Sequence, residues 1–176
     1  MQKTPHTKLI YHIVFGTKYR RRVLTKDNRK RLFKFIWGIL QKKKCHLYRI
    51  NGVEDHIDIL TSMRMPMNIA DLVKYIKVSL NMWIKEERIF DEFECWQVGY
   101  GVFIVSAYEK DGLIEYVKNQ EAHHKIETYE DEYRRLLKEH DIEGSSPYPL
   151  MARSFLNWGV SVDEPQIGDV VVFPRG

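Results

Sequence analysis

The chain has few cysteines and no long apolar run, and both shortages narrow what it can be. Its 176 residues include only Cys45 and Cys95, which are far apart and have no CxxC partner. This argues against a disulfide-stapled scaffold and against a cysteine zinc site. No stretch reaches the roughly 20 apolar residues that span a bilayer, and the start, MQKTPHTK, lacks the apolar segment of a signal peptide. We therefore expect a cytoplasmic protein with no membrane partner.

The composition is that of a folded domain with unevenly spread charge. Hydrophobic residues make up 44% and aromatic residues 12%, which is enough for a real core, and the length favours one compact unit. The net charge is only +4, yet the runs KYRRR, KDNRKR and KKK place most of the excess in residues 8–50. A basic stripe interleaved with aromatic residues suits a polyanion, because phosphate affinity is largely electrostatic. The alternative interpretation is a solvated helix face.

Hydrophobic periodicity predicts the order β-α-β-β-α-β followed by two helices. Strands are predicted over residues 8–15, 46–52, 56–63 and 94–106, and helices beginning near residues 25, 68, 110 and 128. The central hairpin turns either at Asn51-Gly52 or at Glu54-Asp55. This order is typical of an α+β, ferredoxin-like or RRM-like fold, in which an antiparallel sheet carries helices on one face. The other face is then free to bind nucleic acid or a second subunit.

Two pairs of polar residues have a spacing that suggests chemistry. Tyr116 and Gln120 are four positions apart on the third predicted helix and share one of its faces. His56 and Asp58 are two positions apart on the third predicted strand and point to the same side. If strand and helix meet, three ligands can hold a divalent cation beside the Tyr116 hydroxyl, which suits phosphodiester cleavage. On spacing alone, an ordinary half-buried aromatic is the simpler interpretation of Tyr116.

Four segments, taken in order, resemble the single-tyrosine HUH transposases of small bacterial insertion sequences, the IS200-like transposase family. The segments are YHIVFGTKYRRR, GVEDHIDIL, WQVGYGVFIVS and LIEYVKNQEAHH. The resemblance covers about residues 8–145, and the ordered set is far more specific than any one piece. Residues 1–145 are accordingly interpreted as an HUH-type transposase domain.

The resemblance implies a metal-dependent transposase that cleaves and rejoins single-stranded DNA through a 5′-phosphotyrosine intermediate. Tyr116 matches the nucleophile, and His56, Asp58 and Gln120 match the ligands of Mg²⁺ or Mn²⁺. The family motif is His-hydrophobic-His, so Asp58 replaces its second histidine, and a carboxylate is a good ligand for either cation. One alternative is a cleavage-deficient relative that binds DNA or RNA hairpins without transposing. Another is a ferredoxin-like dimer in which these residues are incidental.

The same resemblance implies partners and contacts. Single-stranded DNA with hairpin ends is the expected substrate, and a homodimer is expected in which the metal strand of one subunit meets the tyrosine helix of the other. Gly112 then lies in the hinge. The best candidates for DNA backbone contacts are Lys18, Tyr19, Arg20, Arg21 and Arg22.

The phenol of Tyr116 has an ordinary pKa of about 10 and needs a nearby cation or base in order to ionise at neutral pH. Lys118 points elsewhere on the predicted helix.

The composition changes after Gly144. Residues 146–176 read as a linker and an unrelated tail, and the segments LNWG, DEP and GDVVVF resemble a fragment of a CHAP-type peptidoglycan hydrolase. The tail contains no cysteine or histidine to serve as that family's catalytic residues. We expect it to contribute no function.

Overall fold

The computed structural model describes residues 9–63, 68–123 and 128–140. Its elements are β1 (Leu9–Gly16), α1 (Lys26–Lys42), β2 (His46–Gly52), β3 (His56–Met63), α2 (Ile69–Glu87), β4 (Gly101–Val105), α3 (Lys110–Lys118), α4 (Gln120–His123) and α5 (Tyr129–Glu139), with one 3-10 turn at Lys18–Arg20. The strands form one antiparallel sheet in the order β2-β3-β1-β4. The ferredoxin-like prediction is confirmed. The tail at 146–176 lies outside the described residues.

One face of the sheet is covered by α1 and α2, and we call it the core face. Alternation along β1 points Tyr11, Ile13 and Phe15 toward these helices. The two helices bury aliphatic residues at helical spacing, namely Leu32, Ile36, Ile39 and Leu40 of α1 and Leu72, Val73, Ile76, Leu80 and Ile84 of α2. This is the main hydrophobic core, and its helical residues recur at the spacing typical of amphipathic helices.

The second face of the sheet is covered by the trailing helices, and we call it the site face. Val14 and Phe103 pack against Tyr133 and Leu136 of α5. Ile10, Leu60 and Val105 form another buried cluster, against which Leu113 and Ile114 of α3 pack. The expectation of an uncovered face is therefore wrong. All residues of β1 after Leu9 are buried because helices lie on both sides of this central strand.

The β2–β3 hairpin turns at residues 53–55, the second of the two predicted positions. The Val53 N–H donates to the His56 carbonyl at 3.1 Å and closes the turn. His56 is therefore the first residue of β3. Gly52 pairs with Ile57 at the end of β2 and does not form the turn itself.

The fourth strand is shorter than the predicted 94–106 segment. Lys77 of α2 donates to the carbonyls of Gln97, Val98 and Gly99, the last two at 3.1 Å. These carbonyls are bound to an ammonium group, so the regular ladder of β4 begins only at Gly101. Burial lowers the pKa of Lys77 to about 8.

Among the described residues, no helix has the length and apolar character needed to cross a bilayer.

Candidate active site

His56 is held rigidly at the start of β3. Its imidazole is fully buried, and Nδ1 lies 2.7 Å from Asp55 Oδ1. Arg20 donates to the other oxygen of Asp55 at 2.6 Å. Burial by itself raises the pKa of Asp55, but His56 and Arg20 outweigh it and lower that pKa to about 2. An ionised carboxylate at Nδ1 fixes the ring and leaves Nε2 facing the interior as a potential ligand.

Asp58 is held in the same way by a histidine on the neighbouring strand. His12 of β1 lies with Nε2 2.7 Å from Asp58 Oδ1, and both side chains are fully buried. Burial opposes ionisation, but the hydrogen bond and charge of His12 lower the pKa of Asp58 below its ordinary value. The second oxygen, Oδ2, lies 3.6 Å from His56 Nε2. The strand spacing thus brings a carboxylate oxygen and an imidazole nitrogen together, as the sequence predicts.

The helix that carries Tyr116 is positioned at both of its ends. At its start, the Ser106 N–H donates to Glu109 Oε2 at 2.9 Å and the Glu109 N–H donates to Ser106 Oγ at 3.3 Å, which together form a capping box. At its end, Asn51 of β2 donates to the Val117 carbonyl at 2.8 Å. The predicted continuous helix is wrong here, because α3 ends at Lys118 and Gln120 begins the separate α4.

Gln120 nevertheless reaches the two strand residues. Its side chain is fully buried, with Nε2 3.0 Å from His56 Nε2 and in contact with Asp58 Oδ2. Its Oε1 is buried and has no hydrogen-bond partner among the described residues. Because the two ends of an amide have nearly the same shape, a half-turn of the group points Oε1 at the same two atoms. An amide oxygen, a carboxylate oxygen and an imidazole nitrogen then converge.

This donor set fits a hard divalent cation. Three electron-pair donors that face one another are satisfied by a positive ion, and oxygen-rich sets suit Mg²⁺ and Mn²⁺. Within the described ranges, no cluster of three or more His, Cys, Asp or Glu side chains has an arrangement that could hold a metal. A site made by His56 and Asp58 therefore depends on the amide of Gln120 as its third ligand.

The carboxylate of Glu132 lies between the Tyr116 hydroxyl and these residues. Its hydroxyl donates to Glu132 Oε1 at 2.6 Å, and Glu132 Oε2 lies 3.8 Å from His56 Nε2. Arg135 donates to the Tyr116 oxygen at 3.0 Å. Burial and then the negative charge of Glu132 raise the pKa of Tyr116 well above its ordinary value. The structure thus assembles Tyr116, His56, Asp58 and Gln120 within a single chain.

Of the five predicted DNA-contacting residues, one is an exposed tyrosine and four are cations that are paired with carboxylates. Tyr19 is 62% exposed, with backbone in the left-handed region at φ 56°. The four cations contact carboxylates of the same chain, in the pairs Lys18–Glu94 (2.9 Å), Arg20–Asp55 (2.6 Å), Arg21–Glu94 (2.5 Å) and Arg22–Glu54 (2.5 Å). Arg20 is linked to the cluster itself, because its partner Asp55 orients His56.

Three residues of the cluster were not identified from the sequence: His12, Glu132 and Arg135. Glu132 is 1% exposed and lies on the buried stripe of α5 beside Tyr133 and Leu136. A carboxylate within an apolar stripe is the signal that could have found it. His12 has a similar signal, since it interrupts an otherwise apolar strand. Arg135 has no such signal in the sequence.

Comparison with known proteins identifies the family. Residues 5–120 match the family described as "Transposase IS200 like", so the chain belongs to the IS200-like transposase family. The transposase of insertion sequence element IS200 from Salmonella typhimurium is 25% identical over 115 residues, covering 62% of this chain and 75% of that protein. The Salmonella typhi transposase of the same element matches to the same extent.

Two solved structures share the fold. A candidate transposase from Deinococcus radiodurans has a TM-score of 0.54 at 24% identity, covering 68% of this chain and 98% of that one. A REP-associated tyrosine transposase bound to a REP hairpin has a TM-score of 0.55 at 11% identity, covering 98% of this chain and 100% of that one. At these identities the likeness establishes the fold alone.

Proposed function

We propose that this transposase is a metal-dependent enzyme that cleaves and rejoins single-stranded DNA through Tyr116. The observation that supports this most directly is the position of Glu132, whose carboxylate contacts the Tyr116 hydroxyl at 2.6 Å and lies 3.8 Å from His56. Nucleophile and candidate ligands are thereby neighbours in one chain. This supports attack in cis, while the homodimer stays a prediction.

His56, Asp58 and Gln120 are the residues that would hold Mg²⁺ or Mn²⁺. When bound, the cation acts as a Lewis acid on the scissile phosphate and offsets its charge. Two of these ligands are each held by a neighbouring side chain: His12 lies 2.7 Å from Asp58, and Asp55 lies 2.7 Å from His56. The Asp55 contact orients His56 and increases its basicity, whereas the His12 contact orients Asp58 and favours its ionised form. The replacement of the family's second histidine by Asp58 is therefore compatible with an intact site, because His12 stabilises the ionised carboxylate.

The chemical step needs a phosphate in line with the Tyr116 oxygen. The phenol gives up its proton, and its oxygen forms the bond to phosphorus. The bond from phosphorus to the 3′ oxygen breaks, and that oxygen keeps the electron pair and takes up a proton to become a hydroxyl. The 5′ end remains joined to Tyr116. Because the phosphodiester count is conserved, attack by a 3′ hydroxyl reverses the step and rejoins DNA.

The proposed substrate is single-stranded DNA with a hairpin end. The structural relative with a TM-score of 0.55 is bound to a REP hairpin, and the two folds overlap over most of both chains. Lys18, Arg20, Arg21 and Arg22 are candidates for phosphate contacts, and the exposed ring of Tyr19 offers a surface for an unpaired base. Phosphates have to compete with the carboxylates that these cations already contact.

A single incubation tests the proposal. The full chain is mixed with Mn²⁺ and a 5′-labelled or 3′-labelled oligonucleotide that carries the hairpin end of the element, and the products are separated under denaturing conditions. We expect a covalent protein–DNA adduct with the 3′ label, lost in Tyr116→Phe and retained in Tyr108→Phe, which alters a 98% exposed tyrosine. Omitting the metal abolishes the adduct.

The other outcomes separate the alternatives. Hairpin binding without an adduct, with adduct formation restored by Asp58→His, would identify a cleavage-deficient relative. No binding to any hairpin would support a ferredoxin-like protein in which the cluster is incidental. Either result overturns the proposed function.

A further inference from the structure

Helix α5 places a charged pair on the attacking atom of Tyr116. Arg135 donates to the phenol oxygen at 3.0 Å, and its guanidinium carbon lies 5.4 Å from the centre of the phenol ring. Glu132 accepts the phenol hydrogen at 2.6 Å. The two residues are three positions apart, so they project from the same side of α5. A donor with a permanent charge and an acceptor thus meet at one oxygen.

The environment otherwise opposes ionisation of this phenol. Burial is the largest influence that raises the pKa of Tyr116, and the charges of Glu132 and Asp58 raise it further. Arg135 acts in the opposite direction. Lys118, the cation nearest to Tyr116 in the sequence, is instead paired with Glu115 at 3.1 Å.

Packing does not explain why α5 carries these residues. Glu132 is 1% exposed beside Tyr133 and Leu136, where an apolar side chain would pack without desolvating a carboxylate. Arg135 is 38% exposed and also pairs with Glu139 at 3.1 Å, so it has no need of Tyr116 as a partner. The contact with the phenol is therefore best explained by what it does to that oxygen.

We propose that Arg135 is a catalytic residue that stabilises the negative charge on the Tyr116 oxygen as it attacks phosphorus, with Glu132 orienting the phenol. This inference rests on the proposed function. The phenol proton leaves along its hydrogen bond to Glu132 Oε1, while Arg135 keeps its contact with the oxygen that carries the charge. That oxygen then bonds to phosphorus as the bond to the 3′ oxygen breaks. The 3′ oxygen takes a proton from water, and the hydroxide that is left takes the proton from Glu132.

The test compares two adjacent arginines. Arg135→Gln removes the charge, Arg135→Lys keeps a charge without the fork of donors, and Arg134→Gln removes an exposed arginine that pairs with Asp131 at 3.7 Å. Single-turnover adduct formation is measured with Mn²⁺ at saturating hairpin DNA, together with DNA affinity. We expect Arg135→Gln to slow adduct formation by about ten- to a hundredfold, as loss of a charge-assisted hydrogen bond does, with unchanged affinity. Arg135→Lys recovers part of the rate, and Arg134→Gln matches the unmodified chain.

Equal rates for Arg135→Gln and Arg134→Gln would overturn the inference, as would a loss of DNA affinity that accounts for the slower rate. The absence of any adduct in the unmodified chain would instead reject the proposed function. A second measurement needs no cleavage: 2,3,5-trifluorotyrosine, whose phenol is much more acidic than that of tyrosine, is placed at position 116, and its ¹⁹F signal is followed against pH. We expect Arg135→Gln to raise the midpoint and Arg134→Gln to leave it in place. Equal midpoints in all three proteins would overturn the inference.

Discussion

The two faces of the same sheet are built from different chemistry. The core face is largely apolar, with Phe15, Ile36 and Ile76 fully buried between the sheet and two long helices. The site face has smaller apolar clusters, and between them it buries His12, Asp58, Gln120 and Glu132, none of which is more than 1% exposed. Buried polar groups cost free energy unless they are paired. We therefore infer that the core face contributes most of the stabilising free energy, and that part of it offsets the cost of burying the polar groups of the site face.

The largest effect is expected from the core face. Phe15→Ala removes a fully buried ring that makes an edge contact with Trp96, their centres 4.9 Å apart. We expect a loss of about 3–5 kcal/mol in the free energy of unfolding, measured by urea denaturation. Ile104→Ala on β4 is the control, since Ile104 is 62% exposed and should cost less than about 0.5 kcal/mol. A loss below 1 kcal/mol for Phe15→Ala would contradict this account of the core face.

On the site face, we expect a substitution to affect metal binding more than it affects stability. Gln120→Leu removes a buried amide whose Nε2 contacts His56 and Asp58, so the free energy of unfolding should fall by about 1–3 kcal/mol, less than for Phe15→Ala. Loss of a ligand should weaken Mn²⁺ binding by at least about ten- to a hundredfold, measured by calorimetric titration. The exposed Gln41→Leu on α1 serves as the matched control. If Gln120→Leu binds Mn²⁺ as well as the control does, Gln120 is not a ligand.

The smallest effects come from a pair of glycines. At Gly101, an added Cβ would lie 2.8 Å from the Tyr133 ring and 3.0 Å from Phe103, so Gly101→Ala should cost about 1–3 kcal/mol and loosen α5 from the sheet. At Gly112, inside α3, an added Cβ would meet no atom of the described residues within 4 Å apart from the adjoining helix backbone, and Gly112→Ala should stabilise the protein by about 0.5–1 kcal/mol. Thermal unfolding of both variants checks the signs. Two changes of the same sign would contradict the difference in packing.

The predicted hinge at Gly112 can be judged with the same variant. Gly112 is helical in the structure, with α3 continuing on both sides of it. If α3 swings about this glycine to meet a second subunit, Gly112→Ala should slow cleavage while it stabilises the chain. Unchanged cleavage would favour the single-chain arrangement of Tyr116 and His56.

The periodicity of the sequence was sufficient for the fold and for part of the site. Strand alternation and helical spacing are local properties, so the order of elements, the capping box at Ser106 and the pairing of His56 with Asp58 could all be predicted. The break at Asn119 could not be predicted, because it depends on Asn51, which approaches the end of α3 only after the sheet has formed. The covering of the site face by α3 and α5 likewise depends on contacts between segments that are distant in the sequence.

The role of the charges shows the same limit. The basic run at residues 18–22 was visible as an excess of positive charge, yet its carboxylate partners, Glu54, Asp55 and Glu94, come from distant segments. Glu132 and Arg135 lie sixteen and nineteen positions after Tyr116 and meet it only because α5 folds back onto the sheet. A linear pattern contains no signal for such a meeting.

By itself, the sequence determined which residues lie on each face of most strands and helices, because side-chain direction follows from local backbone geometry. It thereby determined the sheet and the core, and the resemblance of its motifs to the IS200-like transposase family indicated Tyr116, His56, Asp58 and Gln120 as candidate residues. Only the tertiary structure decided what surrounds them: His12 behind Asp58, and Glu132 and Arg135 on the phenol oxygen. The strength of an electrostatic interaction depends on distance and burial, and both are set when remote segments pack together.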